Sequence, residues 1–281
     1  MSKEILLYQK ASNSCSRVIT QSYSTSFSLA IKLLSPEMRE GIYGIYGFVR
    51  IADEIVDSFH EFDKEFLLDK LTEELNHALE TGLSTNPIIH SFQHIVKKYQ
   101  IDRALIDAFL KSMRTDLNKL SYSSDEYKDY IYGSADVVGL MCLKVFTSGD
   151  QQQYEALKYP AEKLGSALQK VNFLRDVKND YEKLNRKYFP EINLDNFTEA
   201  DKKKIIQEIR EDFMEAKKGI KKLPGSSKLA VFVAYLYYQN LLNRLQKTHP
   251  SKIMTTRIRV PGIIKLSILA HSWLRFRINM I

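Results

Sequence analysis

The 281-residue sequence predicts an all-α fold. Apolar residues recur at three- and four-residue spacing through most of the chain, as in Ile42, Ile45, Val49, Ala52 and Val56. Strand-like runs joined by two-residue hairpin turns are absent, and only 11 glycines punctuate the chain. The 44% hydrophobic content suits a protein that buries a core, which argues against a disordered or fibrous chain.

In chain order, helices are expected at about 3–20, 36–59, 62–81 and 88–99, the last set off by the turn dipeptide Asn86-Pro87. They continue at about 102–119, 124–146 and 150–184, after which Pro190, Asn193 and Asn196 mark a loop. The series closes at about 198–222, 226–247 and 258–277, with breaks at Pro224-Gly225 and His249-Pro250-Ser251. None of these breaks is long or simple enough to act as an interdomain linker, and no repeat of fixed period is visible. A single domain over residues 1–281 is expected, with a basic, apolar tail from about residue 263.

Cys15 and Cys142 stand far apart and neither has a CxxC partner, so they read neither as a disulfide framework nor as a zinc cluster. A reduced, cytoplasmic setting fits. The N-terminus interleaves charge with short apolar runs and lacks the core of an export signal. The apolar runs Val137 to Phe146 and Leu229 to Tyr238 fall short of the roughly 20 residues that span a bilayer as a helix. The formal charge of +7 suits nucleic acid, anionic lipid or small anionic substrates. Nucleic acid is the weakest of the three, because lysines such as Lys202 to Lys204 and Lys217 to Lys222 are scattered and no recognition motif accompanies them.

Two helical segments share one arrangement: Asp53 and Asp57 in RIADEIVD, and Asp176 and Asp180 in NFLRDVKND. Residues i and i+4 lie on one helix face about 6 Å apart along the axis, so each pair aims two carboxylates the same way. Two such helices face to face would form a cage of hard oxygen ligands. Magnesium is held by one or two carboxylates plus waters and substrate phosphates, so the pattern suits a diphosphate clamp. Asn172 extends the second row by one turn. Glu61/Glu65, Asp125/Asp129, Glu208/Asp212 and Glu211/Glu215 repeat the spacing, so a solvated helix surface competes with this reading. What separates the chosen pairs is their apolar setting: Ile51, Ala52, Ile55 and Val56 around one, Val171, Phe173, Leu174 and Val177 around the other. Acids embedded in this way need partners or metals. Arg50 and Arg175 accompany the pairs and suit phosphate oxygens, with an Arg50–Glu54 salt bridge as the alternative use of Arg50.

The stretches YGIYGFVRIADEIVD and NFLRDVKNDYEKLNRKYFP resemble the two aspartate-rich motifs of squalene/phytoene synthases. YIYGSADVVGLM is similar to the tyrosine-led motif between them, YSTSFSLA to the serine-phenylalanine segment near the N-terminus, and RIRVP to the C-terminal motif. The resemblance runs from about residue 20 to residue 265. It implies an isoprenoid synthase helical bundle whose two aspartate-rich helices face each other across a central cavity.

It further implies that Asp53, Asp57, Asp176 and Asp180 bind magnesium, with manganese as an alternative and Asn172 assisting. Arg50 and Arg175 would face diphosphate, Tyr46 and Gln169 would line the cavity, Tyr130 would steer the cation or its proton, and Ser24 and Ser26 would sit near a substrate diphosphate. The implied reaction joins two prenyl diphosphates head to head. An allylic cation is attacked by a second prenyl double bond, a cyclopropyl intermediate forms, and a second ionisation and proton loss give phytoene from two geranylgeranyl diphosphates. Squalene or dehydrosqualene formation from farnesyl diphosphate is the alternative within the family, and a non-catalytic lipid- or partner-binding scaffold is the alternative outside it. NADPH is not expected to be used. Three departures stand out: Ser134-Ala135-Asp136 replaces valine-alanine-glycine, Glu54 stands for a commoner aspartate, and Asn185 for a frequent glycine. Asp136, close to Tyr130 in sequence, is a candidate acceptor for the final proton.

His90 and His94 sit at i, i+4 but lack the glutamate of a zinc protease helix, and Glu74…His77 is a lone ExxH where a di-iron bundle needs two. The tail IIKLSILAHSWLRFRINMI reads either as an interfacial helix in peripheral contact with the inner membrane surface or as a final packed helix. The sequence is silent on oligomeric state.

Overall fold

The computed structural model describes residues 2–184, 186–190 and 192–278. Helices dominate: α1 (Lys3–Tyr23), α2 (Thr25–Ile31), α3 (Pro36–Asp57), α4 (Lys64–Thr81), α5 (Pro87–Tyr99), α6 (Arg103–Asn118) and α7 (Ser124–Ile131). A π-helical turn (Tyr132–Asp136) leads into α8 (Val137–Thr147), followed by α9 (Gln151–Leu184), a 3₁₀ turn (Leu194–Asn196), α10 (Glu199–Ile220), α11 (Gly225–Lys247), α12 (Pro250–Ile253) and α13 (Gly262–Arg277). Among the described residues the only β pairing is an isolated bridge between Ser121 and Lys187. The all-α expectation holds.

Local chemistry sets the helix ends. Ser35 caps α3 and is followed by Pro36, whose missing N–H costs nothing at the first helical position. Asp63 caps α4 through the Phe66 amide (3.0 Å), and the helix stops where Gly82 adopts a left-handed conformation (φ 80°). Ser123 with Glu126 and Thr198 with Asp201 form capping boxes that start α7 and α10.

The core has two main parts. One packs α3, α4, α5, α6 and α8 around Ile45, Phe48, Leu75, Phe92 and Phe109, with Phe48 and Phe92 stacked at 4.2 Å. The other joins α9, α10 and α11 through Val171, Leu174, Ile209, Phe213, Leu241 and Leu245. Thus α3 carries the first aspartate pair in one part and α9 carries the second pair in the other.

The sequence-predicted helix at 124–146 is divided by the π turn, where the chain passes between α6 and α9. Gly133 lies so close to α6 that a Cβ there would meet the Ala108 carbonyl oxygen at 2.6 Å. Gly165 on α9 is equally tight, with the Ala135 carbonyl oxygen 2.9 Å from where its Cβ would stand. The helix α2 was not expected: at seven residues it is too short for an apolar period to declare itself. The last helix begins at Gly262 rather than 258, after the separate turn α12.

Candidate active site

A cavity of about 1160 Å³ lies between the two core parts. Every residue of the expected metal-binding, diphosphate-facing and cavity-lining set lines it: Ser24 and Ser26 on α2 and its cap, Tyr46, Arg50, Asp53 and Asp57 on α3, Tyr130 on α7, and Gln169, Asn172, Arg175, Asp176 and Asp180 on α9. The helical period explains the convergence, since each set repeats every three or four residues and so shares one face of its helix. Away from the carboxylates the wall is apolar, with Val138, Phe146, Leu157, Pro160, Leu164 and Ile220.

The carboxylates are electrostatically crowded. Burial first, and then the neighbouring Asp57, push Asp53 up to about 7. Burial followed by Asp176 and Asp57 pushes Asp180 up to about 8. The acids therefore lie near enough to repel across the gap between α3 and α9. Asp57 accepts a hydrogen bond from Arg186 Nη1 at 2.7 Å, and Asp176 is held by Arg175 and by Arg257, whose Nε donates at 2.7 Å. Arg50 pairs with Glu54, which is buried, and its guanidinium lies 4.4 Å from the centre of the Tyr23 ring. Asn172 accepts from the Tyr238 hydroxyl (3.2 Å), and Gln169 donates to Ser134 (3.3 Å). Burial pushes the Tyr46 hydroxyl up to about 12, and the ring stacks on Phe27 at 4.9 Å.

Behind the carboxylates stands a polar knot that sequence reading missed. Asp116 on α6 is buried and accepts from the hydroxyls of Tyr130 (2.5 Å) and Tyr122 (2.9 Å). Burial pushes its carboxyl up to about 6. Arg186, only 5% exposed, donates to the Asp116 carbonyl oxygen (2.8 Å) and to the Tyr188 hydroxyl (3.2 Å) as well as to Asp57. One guanidinium thus ties the loop after α9 to α3 and α6. Tyr188 stacks on Phe173 at 4.0 Å, and both rings line the cavity beside Tyr130. Asp116 had a legible signal, since with Phe109 and Met113 it shares the buried face of α6, the same setting that marked Asp53.

Asp136 is corrected by the structure. It does not line the cavity; both its carboxylate oxygens accept from Ser166 on α9 (2.8 and 3.0 Å), so it turns away from Tyr130. Asn185 and the last three residues of the tail lie outside the described residues. His90 is buried, contacts the Tyr8 ring and accepts from the Ser84 amide, while Glu74 accepts from Asn86.

Among the described residues no three Asp, Glu, His or Cys side chains close into a preformed metal site. The donor set is nevertheless of the hard-oxygen kind, and two of its acids, Asp53 and Asp180, are raised by burial and then by the charges of neighbouring aspartates. That chemistry fits a divalent cation that arrives with substrate phosphates and shares its coordination with them.

A helical bundle enclosing an apolar cavity, with aspartate pairs from two helices at one end, defines the isoprenoid synthase class. The sequence model described as squalene/phytoene synthase matches residues 20–263, and the chain belongs to that family. It is 28% identical to phytoene synthase of Arthrospira platensis over 93% of this chain and 92% of that protein. It is 27% identical to the chloroplastic phytoene synthase 1 of Solanum lycopersicum over 85% of its own length, and spans 62% of that longer relative. Its fold is similar to a crystal structure of a dehydrosqualene synthase, with a TM-score of 0.80, 22% identity and coverage of 97% of this chain and 98% of that one.

Proposed function

We propose that this single-domain protein is a prenyltransferase that condenses two geranylgeranyl diphosphates head to head to phytoene, consuming no reductant. The observation that carries the reading is the convergence of Asp53, Asp57, Asp176 and Asp180 on one end of a long apolar cavity. Its depth supports the longer prenyl chain. Along α9, Pro160 and Asp176 both line the cavity and lie roughly 24 Å apart at a rise of ~1.5 Å per residue. With carbon–carbon bonds of ~1.5 Å, an extended geranylgeranyl chain of about 16 backbone carbons reaches roughly 20 Å, and a farnesyl chain roughly 15 Å.

In this reading Asp53, Asp57, Asp176 and Asp180, with Asn172, would hold Mg²⁺ or Mn²⁺, which supplies Lewis-acid stabilisation of departing diphosphate. Arg50, Arg175 and Arg257 bind diphosphate oxygens, exchanging their present carboxylate partners for them. Ser24 and Ser26 add hydroxyl donors from α2. The C1–O bond of one substrate breaks, and the C2–C3 double bond of the other attacks the allylic cation. Loss of one proton closes the cyclopropane, and a second ionisation, rearrangement and proton loss complete phytoene. The Tyr130 hydroxyl donates a hydrogen bond to Asp116, which leaves its oxygen lone pairs and ring facing the cavity, where Phe173 and Tyr188 add negative π faces toward the cation. The apolar walls exclude water, which would otherwise quench it to an alcohol.

Metal removal tests the reading. With geranylgeranyl diphosphate as substrate, chelation by EDTA is expected to stop diphosphate release and added Mg²⁺ to restore it. Undiminished release after chelation would contradict the carboxylate clamp.

A further inference from the structure

A groove of about 640 Å³ runs between the last turns of α11, α12 and the segment before α13. Five of its nine lining residues are cations: Arg244, Lys247, Lys252, Arg257 and Arg259. The other four, Asn240 and Asn243 among them, include no acid. The sequence around the groove is acid-free as well, since no aspartate or glutamate follows Glu215.

Cations in the last turn of a helix ordinarily serve its unpaired carbonyls. Here that demand is met from elsewhere. Lys202 of α10, only 2% exposed, donates from Nζ to the carbonyl oxygens of Gln246 (2.9 Å) and Thr248 (2.7 Å). The Thr248 hydroxyl donates to the Arg244 carbonyl oxygen (2.8 Å). Asn240 orients the Arg244 guanidinium, accepting from Nε at 3.2 Å. Among the described residues Arg244, Lys247, Lys252 and Arg259 pair with no carboxylate. Arg257 is the link between two sites: it lines both the groove and the large cavity, and its half-exposed side chain holds Asp176 at the aspartate end.

Cations gathered in one acid-free groove call for a small anion with several charges and many acceptor oxygens. A diphosphate meets more of them at once than a single phosphate can, and arginine forks match its oxygens in pairs. We propose that the groove is a second anion site that takes inorganic diphosphate and is reached from the cavity through Arg257. The affinity for diphosphate stands on the groove's own charge; its use as a way out for diphosphate released at the aspartates rests on the prenyl reading. An anion leaving the aspartate end meets Arg257 first, and rotation of that side chain off Asp176 carries it toward Arg244, Lys252 and Arg259.

Calorimetric titration of the full chain with inorganic diphosphate, in EDTA so that no metal ion contributes, tests the site without turnover. One diphosphate per chain is expected, with an affinity that falls as salt rises. Arg244→Gln with Lys252→Gln, and separately Lys247→Gln with Arg259→Gln, are each expected to weaken binding about tenfold, with circular dichroism unchanged. Lys221→Gln with Lys222→Gln removes the same charge beside the start of α11 and is expected to leave binding as it was. Orthophosphate, and glycerol phosphate as the headgroup chemistry of an anionic lipid, are expected to bind roughly tenfold more weakly than diphosphate. Absence of diphosphate binding, equal losses in the groove and control variants, or glycerol phosphate binding as tightly as diphosphate would overturn the proposal. The way out is read during turnover of prenyl diphosphate, where added diphosphate is expected to inhibit the parent even at saturating substrate and to lose that effect in both groove variants. Inhibition that substrate relieves fully in the parent would overturn this use. A chain that binds diphosphate in the groove yet turns over no prenyl diphosphate would refute the prenyl reading alone.

Discussion

Carboxylates in this fold face two different fates, and each leads to a separate expectation. Asp53 lines the cavity beside like charges. Asp53→Asn, and likewise Asp176→Asn, is expected to lower turnover by at least on the order of a hundredfold while leaving the melting temperature unchanged or higher, because repulsion is relieved. Near-normal turnover of both variants at saturating Mg²⁺ would count against the clamp. Asp136 is buried at the seam of the π turn and α9, and burial pushes it up to about 7 despite the Ser166 hydroxyl. A carboxyl whose folded-state pKa is raised binds more protons in the folded than in the unfolded chain. Its contribution to stability is therefore full below about pH 4 and is lost as pH rises through about 7. Asp136→Asn keeps a partner for Ser166 and removes this loss. The melting-temperature gap between variant and parent should widen from near zero at acid pH to its maximum above pH 7, worth on the order of a few kcal/mol. A gap independent of pH would show that Asp136 is not raised. At this scale the sequence disclosed the acids whose spacing and apolar setting coincide. It did not disclose the grip of Arg186, which depends on contacts between chain segments far apart in sequence, and Asp116 was missed because it shares the buried face of α6 without a second acid at helical spacing.

At the scale of the element, α9 was legible from end to end despite Pro160, because its apolar and polar periods continue on both sides of the proline. The 124–146 segment was not. Its apolar run reads as one helix, and nothing in a local period announces that packing against α6 and α9 will widen a turn into π geometry. That turn matters because Tyr130 stands just before it and Ser134 and Ala135, within it, line the cavity. Gly133→Ala tests the point. The added Cβ would meet the Ser112 side chain and, at 2.6 Å, the Ala108 carbonyl oxygen, and a backbone carbonyl cannot swing aside. A destabilisation of about 1–3 kcal/mol is expected from thermal or urea unfolding. Turnover should also fall at temperatures where the variant remains folded, because Tyr130 shifts relative to Asp116. A Gly133→Ala protein with parental stability and turnover would mean that the turn is not held by α6. The short α2 and α12 escaped sequence reading for a simpler reason: seven and four residues are too few to display a period.

At the scale of the whole molecule, two apolar cores bring α3 and α9 to opposite walls of one cavity, and Arg186 bridges them where the acids converge. The sequence implied this cage by resemblance, and the fold brings its residues together. Among the described residues no helix is long and apolar enough to cross a membrane. The choice among prenyl chains and products rests on the length of the cavity and on how the last cation is discharged. Product analysis tests head-to-head condensation most directly: purified protein is incubated with geranylgeranyl diphosphate and Mg²⁺, without reductant, and the organic extract is resolved by chromatography and mass spectrometry. Phytoene, with two diphosphates released per molecule formed, is the expected result. Failure to form it from geranylgeranyl diphosphate, together with NADPH-dependent squalene release from farnesyl diphosphate, would contradict the assignment.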